Sequence, residues 1–507
     1  MRRTFFGPFD LLAIALTGLT LSGCGESQST VGPPEERVVT GLVFASQPIG
    51  GPAGSELPSF EVHLVDDANV VVDGNSAVTI DLAVNPNGAV LSGSTTVTAQ
   101  GGVATFTGIR IDRAGSGYRL GASAEGLGAQ SAPFDVAGPR SPFADFQAAE
   151  FALGQVDLTS GEPNAGQGST NLTGIRDRAS VAEADGLFYM ADRGNSRVLG
   201  FNSVPRTSGV AADFVLGQAD LFLRSDTLTS STFELPSEVE SSGGRLFVND
   251  PDNGRILIWN TLPRTTNAPA DVVVGQPDFS SGVRGTTRTT MDTPEFFTVA
   301  GGRLFVADMF NNRVLIWNSI PAANGAPADV VLGQPDFTSR AARTSATGLN
   351  HPRGVWSDGR RLVVADAGSS RVLVWNAIPD SNQAPADFVI GAPDLDTPGV
   401  LDPPTATSVG APVDVVSDGT VLLVSDPLNS RVLAFPFPDR HGVAAIGVLG
   451  QSDFSLSAGN DPNQDGVSED VVSARTFLQP VNLGLIGDEL FVADLGNARV
   501  MVFKLGR

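Results

Sequence analysis

One phrase occurs six times in this chain of 507 residues: an apolar run that ends in aspartate, a short turn, then arginine and a second apolar run. The steps between successive aspartates are 58, 58, 58, 60 and 68 residues. A period this long and this regular is typical of a repeat protein, in which each unit buries its apolar faces only against its neighbours. The six aspartates are Asp192, Asp250, Asp308, Asp366, Asp426 and Asp494.

The repeat predicts an all-β ring. Each unit contains short runs rich in Val, Leu, Ile and Phe, separated by Gly, Pro and Asn, which is the pattern of short strands joined by tight turns. The totals of 58 glycines and 34 prolines favour strands over helices. Because such units close into a ring when they are stacked around an axis, we predict a six-bladed β-propeller over residues 144–507.

The turn of the repeat has the form Asp-x-x-Asn-x-Arg in five copies, and Ser369 replaces the Asn in the fourth. Asn tolerates left-handed backbone in a turn, and the Asp can face the Arg, so we interpret these charges as structural. With the preceding Leu-Phe-Val-Ala pattern and the following Val-Leu-Ile-Trp, the segment resembles NHL repeats over about residues 144–507. The structural turn charges are Asp192, Arg197, Asp250, Arg255, Asp308, Arg313, Asp366, Arg371, Asp426, Arg431, Asp494 and Arg499.

A second phrase, close to Ala-Asp-x-Val-x-Gly-Gln, follows the first five blocks, with Ala392 in place of Gln in the fourth. It is missing after the sixth block, yet Ala144 to Gln155 carries the same elements upstream of the first. We therefore expect this N-terminal segment to pair with the last blade. Such closure would remove two exposed strand edges.

The first residues are typical of an export signal. A basic start precedes the apolar run Leu11 to Leu21, which is too short to cross a bilayer. Leu21-Ser22-Gly23-Cys24 resembles the lipobox of bacterial lipoproteins, which implies cleavage before Cys24, the only cysteine, and its lipidation. Gly25 at the next position resembles the pattern of outer-membrane sorting. We expect a signal peptide over 1–23, a tether over 24–36, and an exported protein anchored by lipid to the cell envelope, at the outer membrane on its periplasmic face or at the cell surface.

Residues 37–137 have a different pattern. Val78 to Val84 alternates apolar with small or polar residues, the period of a half-buried strand, and further short runs follow. The phrases Gly102 to Phe106 and Ala114 to Tyr118 resemble bacterial Ig-like domains, which implies a β-sandwich that serves as a spacer. Residues 138–143 form the predicted hinge to the propeller.

In a propeller the first strand of each blade lines the central channel, and ligands bind at one mouth. The residues 12 and 13 positions before each repeat aspartate differ from blade to blade, although the frame around them is constant. Several could supply oxygen ligands for calcium, and a solvated channel wall is the alternative interpretation. The candidate channel ligand site consists of Glu238, Glu295, Arg353, Asp414 and Asn482.

The net charge of -23 argues against nucleic acid as a partner. Only three histidines occur, and neither a zinc site nor a Ser-His-Asp arrangement can be argued from them. The NHL resemblance implies an interaction platform more often than an enzyme. We therefore expect a monomer that binds a protein, peptide or glycan without a cofactor. The alternatives are a calcium-dependent hydrolase or lactonase with an axial metal, and a structural surface-layer role.

Overall fold

The computed structural model describes residues 37–506 except 87, 139, 220–226 and 401. The predicted signal peptide, Cys24, the tether and Pro139 of the predicted hinge therefore lie outside the described residues. No helix of the described part is long and apolar enough to cross a membrane. The described chain divides into two compact units, one of residues 37–51 and 55–136 and one of residues 52–54 and 137–506.

The first unit consists of antiparallel sheets. One has the strand order β1-β2-β6, a second has the order β10-β8-β3-β5 with β9 also paired to β8, and β4 pairs with β7. Phe60 and Phe106 stack with ring centroids 5.4 Å apart, and both are fully buried, as is Tyr118. The strands are β1 (Gly41–Phe44), β2 (Phe60–Val65), β3 (Ala77–Val84), β4 (Leu91–Ser92), β5 (Thr96–Thr98), β6 (Val103–Phe106), β7 (Arg110–Ile111), β8 (Gly115–Ala124), β9 (Leu127–Gln130) and β10 (Phe134–Val136).

The second unit contains six four-stranded antiparallel sheets in the described residues. Short 310 turns interrupt the strands at Pro163–Gly166, Arg193–Asn195, Pro251–Asn253, Met309–Asn311, Ala367–Ser369, Pro427–Asn429 and Leu495–Asn497. The first strands are β11 (Phe151–Leu153), β12 (Val181–Ala184), β13 (Leu187–Asp192), β14 (Arg197–Phe201), β15 (Phe214–Leu216), β16 (Val239–Ser242), β17 (Arg245–Asp250), β18 (Arg255–Trp259) and β19 (Val272–Val274). They are followed by β20 (Pro294–Ala300), β21 (Arg303–Asp308), β22 (Arg313–Trp317), β23 (Val330–Leu332), β24 (Pro352–Ser357), β25 (Leu362–Asp366), β26 (Arg371–Trp375), β27 (Phe388–Ile390), β28 (Val415–Ser417), β29 (Val421–Asp426), β30 (Arg431–Pro436), β31 (Gly447–Leu449), β32 (Pro480–Ile486), β33 (Glu489–Asp494) and β34 (Arg499–Lys504).

The sheets close into a ring. The innermost strands contact each other in cyclic order, β12 with β16, β16 with β20, β20 with β24, β24 with β28, β28 with β32, and β32 with β12 again. Strands such as β13, β18 and β22 are buried along their whole length because both faces of each sheet pack against the neighbouring sheets. This is the arrangement of a β-propeller.

The predicted closure by the N-terminal segment is confirmed. Strand β11 pairs antiparallel with β34, Phe151 opposite Val502 and Leu153 opposite Val500. Gln155 then donates from Nε2 to the carbonyl oxygen of Ala498 at 2.9 Å, in the same way that Gln334 donates to Asn312 within its own sheet. The upstream segment therefore supplies the outer strand that the last sheet lacks.

Each sheet is stabilised by a buried ion pair between the aspartate and the arginine of its repeat. In every repeat the arginine Nε donates to the aspartate Oδ2 at 2.7 to 2.9 Å, and both side chains are fully buried. In the third repeat Asp308 also accepts the backbone N–H of Asp292, and Arg313 also donates to the carbonyl oxygens of Thr290 and Phe337. One ion pair thus joins the hairpin turn to the loops on both sides of it.

The turn asparagine has a different role from the predicted one. The left-handed residue is the next one along the chain, for example Ser196 with φ of 52° or Ala498 with φ of 44°. The asparagine lies in the 310 turn, and its side chain donates to the repeat aspartate, at 2.8 Å from Asn195 to Asp192. It is therefore selected as a hydrogen-bond donor, and the left-handed position accepts Ser, Gly, Asn or Ala.

Substituting Arg313 by Met should lower the free energy of unfolding by about 3–5 kcal/mol, because the buried Asp308 would lose its counterion. Arg340 is exposed, and the matched change Arg340→Met should shift the stability by less than about 0.5 kcal/mol. Denaturant unfolding of the two variants beside the wild type measures this. Equal stability of both variants would contradict the structural role given to the twelve charges.

Candidate functional site

The central channel opens into a cavity at each end. One cavity of about 400 Å³ is lined by residues of all six innermost strands, including Glu238, Glu240, Asp414 and Trp356. We call Glu238, Glu240 and Asp414 the carboxylate end. Glu238 and Glu240 face the same side because side chains alternate along a strand, and both are half-buried against the cavity.

The carboxylates of Glu238 and Asp414 are held by hydrogen bonds, and the one to Glu238 crosses the ring. Asp414 accepts the backbone N–H groups of Val415 and Leu483, each at 2.8 Å. The Asn482 side chain donates to Glu238 at 3.2 Å and to the carbonyl oxygen of Ser237 at 2.8 Å. The structure therefore brings three of the five candidate residues together at this end.

Two residues of the second layer position these carboxylates. Asn249 accepts the backbone N–H of Glu238 at 2.7 Å, and the hydroxyl of Ser425 accepts the backbone N–H of Asp414 at 2.8 Å. In the other four sheets the residue before the repeat aspartate is Ala, which cannot accept a hydrogen bond from the innermost strand. The two exceptions thus occur in the two sheets that carry Glu238 and Asp414.

Burial raises the pKa of all three carboxyl groups at this end. The pKa of Asp414 is raised to about 7 and that of Glu240 to about 8. Burial and the neighbouring charge of Asp414 raise the pKa of Glu238 well above its usual range. The cause is that a carboxylate loses hydration in the channel, and at Glu238 and Glu240 the nearby Asp414 also repels it. The carboxylate end therefore holds protons near neutral pH.

The second cavity, of about 480 Å³, lies at the starts of the innermost strands and under the 310 turns. Arg353, Phe310 and Leu428 line it. Behind Arg353 lies a buried ion pair between Arg178 and Glu295. Burial alone would raise the pKa of Glu295, but the guanidinium of Arg178 and, at greater distance, Arg353 hold it below its usual value. We call Arg178, Arg193, Glu295 and Arg353 the arginine end.

The middle of the channel is filled. Phe296 is fully buried and packs with Ala179, Val413 and Val481, and the guanidinium of Arg178 lies 5.6 Å from its ring centroid. Gly354 allows β24 to approach the chain at Asp414, since a Cβ atom there would lie 2.7 Å from the Asp414 Cα. The candidate ring of the sequence analysis is thus divided into two groups, with Glu238, Asp414 and Asn482 on one side and Glu295 and Arg353 on the other.

Sequence reasoning missed Arg178, Glu240, Asn249 and Ser425. Arg178 and Glu240 lie two positions to either side of the counted ring, so the alternation of side chains along the innermost strand could have found them. Asn249 and Ser425 could have been found as the two breaks in the Ala-Asp phrase. The described residues contain no group of three or more His, Cys, Asp or Glu side chains placed to hold a metal ion.

No protein-family model matches the chain, and no curated protein matches it. Solved structures similar to it include a streptogramin B lyase, with 12% identity over 67% of this chain and 97% of that one and a TM-score of 0.36. A PQQ-bound aldose sugar dehydrogenase from Streptomyces coelicolor shares 12% identity over 66% and 96%, with a TM-score of 0.37. An auxiliary nutrient binding protein from Bacteroides ovatus shares 11% identity over 92% and 100%, with a TM-score of 0.41.

Similarities this weak say nothing about activity or ligand. The assignment of class rests on the strand order, the cyclic contacts of the innermost strands and the closure by β11. By these features the chain is a β-propeller protein.

The raised pKa values predict a pH-dependent stability. Unfolding returns Asp414 and Glu240 to a pKa of about 4, so their contribution is complete below about pH 4 and is lost as the pH rises through about 7 and 8. The stability of the double variant Asp414→Asn/Glu240→Gln relative to the wild type should therefore rise by several kcal/mol between about pH 5 and pH 9, because one pKa unit corresponds to about 1.4 kcal/mol. Thermal unfolding at both pH values measures the difference. Asp380→Asn, at an exposed position, is the control, and a wild-type to variant difference that is constant with pH would contradict the prediction.

Proposed function

We propose that this chain is a lipid-anchored envelope protein whose six sheets are the blades of an NHL-type propeller that binds a protein, peptide or glycan. One observation carries the proposal. The same buried Asp–Arg pair is repeated in every sheet. The axial residues differ between sheets and form two chemically opposite ends of the channel. A scaffold that is constant outside and variable at its axis is suited to present one specific surface.

The polar groups at the axis support a role beyond stability. Carboxylates that stay half-buried beside a cavity, and whose pKa values are raised by burial, cost folding free energy. An apolar axis would pack as well without that cost. Their supporting residues Asn249 and Ser425 keep them in fixed positions, as expected for a binding surface that is formed before the ligand arrives.

The anchor is inferred from the sequence alone. The segment ending in Cys24 implies an export signal followed by lipidation, and two or more acyl chains hold a protein on a membrane stably. An anchored protein with a net charge of -23 suits a ligand in the envelope and not a nucleic acid.

The calcium-dependent hydrolase or lactonase remains the alternative, but no observation favours it. Glu238 and Asp414 accept hydrogen bonds from Asn482 and from backbone N–H groups, and their raised pKa values favour the protonated forms, which bind cations poorly. A surface-layer role would not explain why the two ends of the channel differ in chemistry.

Binding of the purified protein to arrays of glycans and of peptides tests the platform. Ligands found with the wild type should be lost or weakened at least about tenfold by Trp356→Ala or Arg353→Ala, because each removes a side chain that lines an axial cavity. Arg340→Ala changes an exposed residue away from both cavities and should bind as the wild type does. Binders that all three variants retain equally would place the ligand elsewhere and contradict the proposal.

Replacing Cys24 by Ser should release the protein from membranes, since the acylated residue is lost. Fractionation of a bacterial host that makes the full chain, with labelling by a fatty acid analogue, measures both effects. The wild type should carry label and sediment with the outer membrane, while Cys24→Ser should carry none. The neighbouring change Ser22→Ala keeps a small residue and is the control. Equal labelling of wild type and Cys24→Ser would rule out this anchor.

A further inference from the structure

Arg353 is a half-buried cation that forms no hydrogen bond or ion pair within the described part of the chain. Its side chain lines the cavity of the arginine end. Burial lowers the pKa of its guanidinium, and Glu295 opposes that shift. A guanidinium stays charged in proteins and offers five N–H donors, and those of Arg353 donate to no described residue.

The charged groups around Arg353 carry one more positive charge than negative charges. Glu295 is paired with Arg178, and Asp177 is paired with Arg193 at 2.8 Å. Three guanidinium groups thus face two carboxylates, and the third guanidinium is that of Arg353. The Nε atoms of Arg178 and Arg193 are buried and have no hydrogen-bond partner among the described residues. This is a small cationic region in a chain whose net charge is -23.

The rest of the cavity wall is largely apolar. Phe310 and Leu428, on the 310 turns of the third and fifth repeats, are 45% and 60% exposed, and Ala367 of the turn between them, Val413 and Val481 also line the cavity. The ring of His351 meets that of Phe310 edge to face at 6.0 Å. Large apolar side chains that stay exposed beside an unpaired cation indicate a ligand with both an anionic and an apolar part.

We propose that the arginine end binds a carboxylate carried by an apolar group, as at the carboxyl terminus of a peptide that ends in an apolar residue. Arg353 would receive the carboxylate through two parallel N–H donors, and Phe310 and Leu428 would cover the apolar group. A single unpaired positive charge matches a monoanion, whereas a dianion would bring a second charge into a poorly hydrated site. This inference rests on the proposed binding function and names the chemistry of its ligand.

Calorimetric titration of the purified protein with N-acetyl-Leu-Leu, with its carboxyl-terminal amide and with hexanoate tests the inference. The free acid should bind, and the amide should bind at least about tenfold more weakly, because it lacks the charge that Arg353 pairs with. Arg353→Gln should abolish the difference between acid and amide. Arg353→Lys should restore part of that difference, since lysine keeps the positive charge but lacks the planar guanidinium with its two parallel N–H donors. Arg340→Gln is the matched control and should behave as the wild type does.

The three titrated compounds also distinguish the possible sources of the carboxylate. Binding of the dipeptide alone indicates a peptide terminus, and binding of hexanoate alone indicates a small organic acid. Either result supports the inference if Arg353→Gln removes the binding. Equal binding of acid and amide overturns the inference, while the platform survives if the array ligands still depend on the axial variants. Absence of acid binding to the wild type overturns it as well. Arg353 forms no hydrogen bond or ion pair with a described residue, so its variants should stay folded with a melting temperature close to that of the wild type. Phe310→Ser checks the apolar half of the site independently.

Discussion

The buried Asp–Arg pair of each repeat is the interaction on which the rest of the structure depends. Its guanidinium has five donors and meets a carboxylate and carbonyl oxygens from separate loops, as Arg313 does with Asp308, Thr290 and Phe337. Fully buried charges are costly unless every polar atom is satisfied, so the loops can take few other positions. Six such pairs hold the turns, and the sheets then need only apolar contact with their neighbours to form the ring.

This division of labour leaves the axis free to vary. Since the Asp–Arg pairs lie at the ends of the second and third strands of each sheet, the innermost strands can carry Glu238, Phe296, Gly354 or Asn482 at equivalent positions without loss of the ring. The result is a channel with carboxyl groups of raised pKa at one end, a filled middle, and at the other end a guanidinium that donates to no described residue. Two ends of different chemistry on one rigid scaffold are the physical basis for the proposed binding role.

Much of the fold could be predicted from the sequence, and less of the site. The repeat gave the strand pattern, the turn charges and the borrowed strand β11, because each depends on contacts at a constant spacing. The repeat did not reveal that the turn asparagine is a hydrogen-bond donor, because that role depends on the position of the Asp192 carboxylate relative to the Asn195 side chain. It also suggested one axial ring, whereas Phe296 divides the candidate residues into two groups.

The sequence by itself determined the frame, since the aspartate and arginine of each pair are separated by only five residues and any chain with that turn brings them together. The tertiary structure alone decided which axial residues meet. Arg178 reaches Glu295 across 117 residues of chain, and Asn482 reaches Ser237 across 245. Such partners are set by ring closure and by the small size of Gly354, which lets two innermost strands approach, and no local pattern encodes either. The excess of positive charge at Arg353 is likewise a property of the assembled ring, because only there do two carboxylates and three guanidinium groups of the described chain come together.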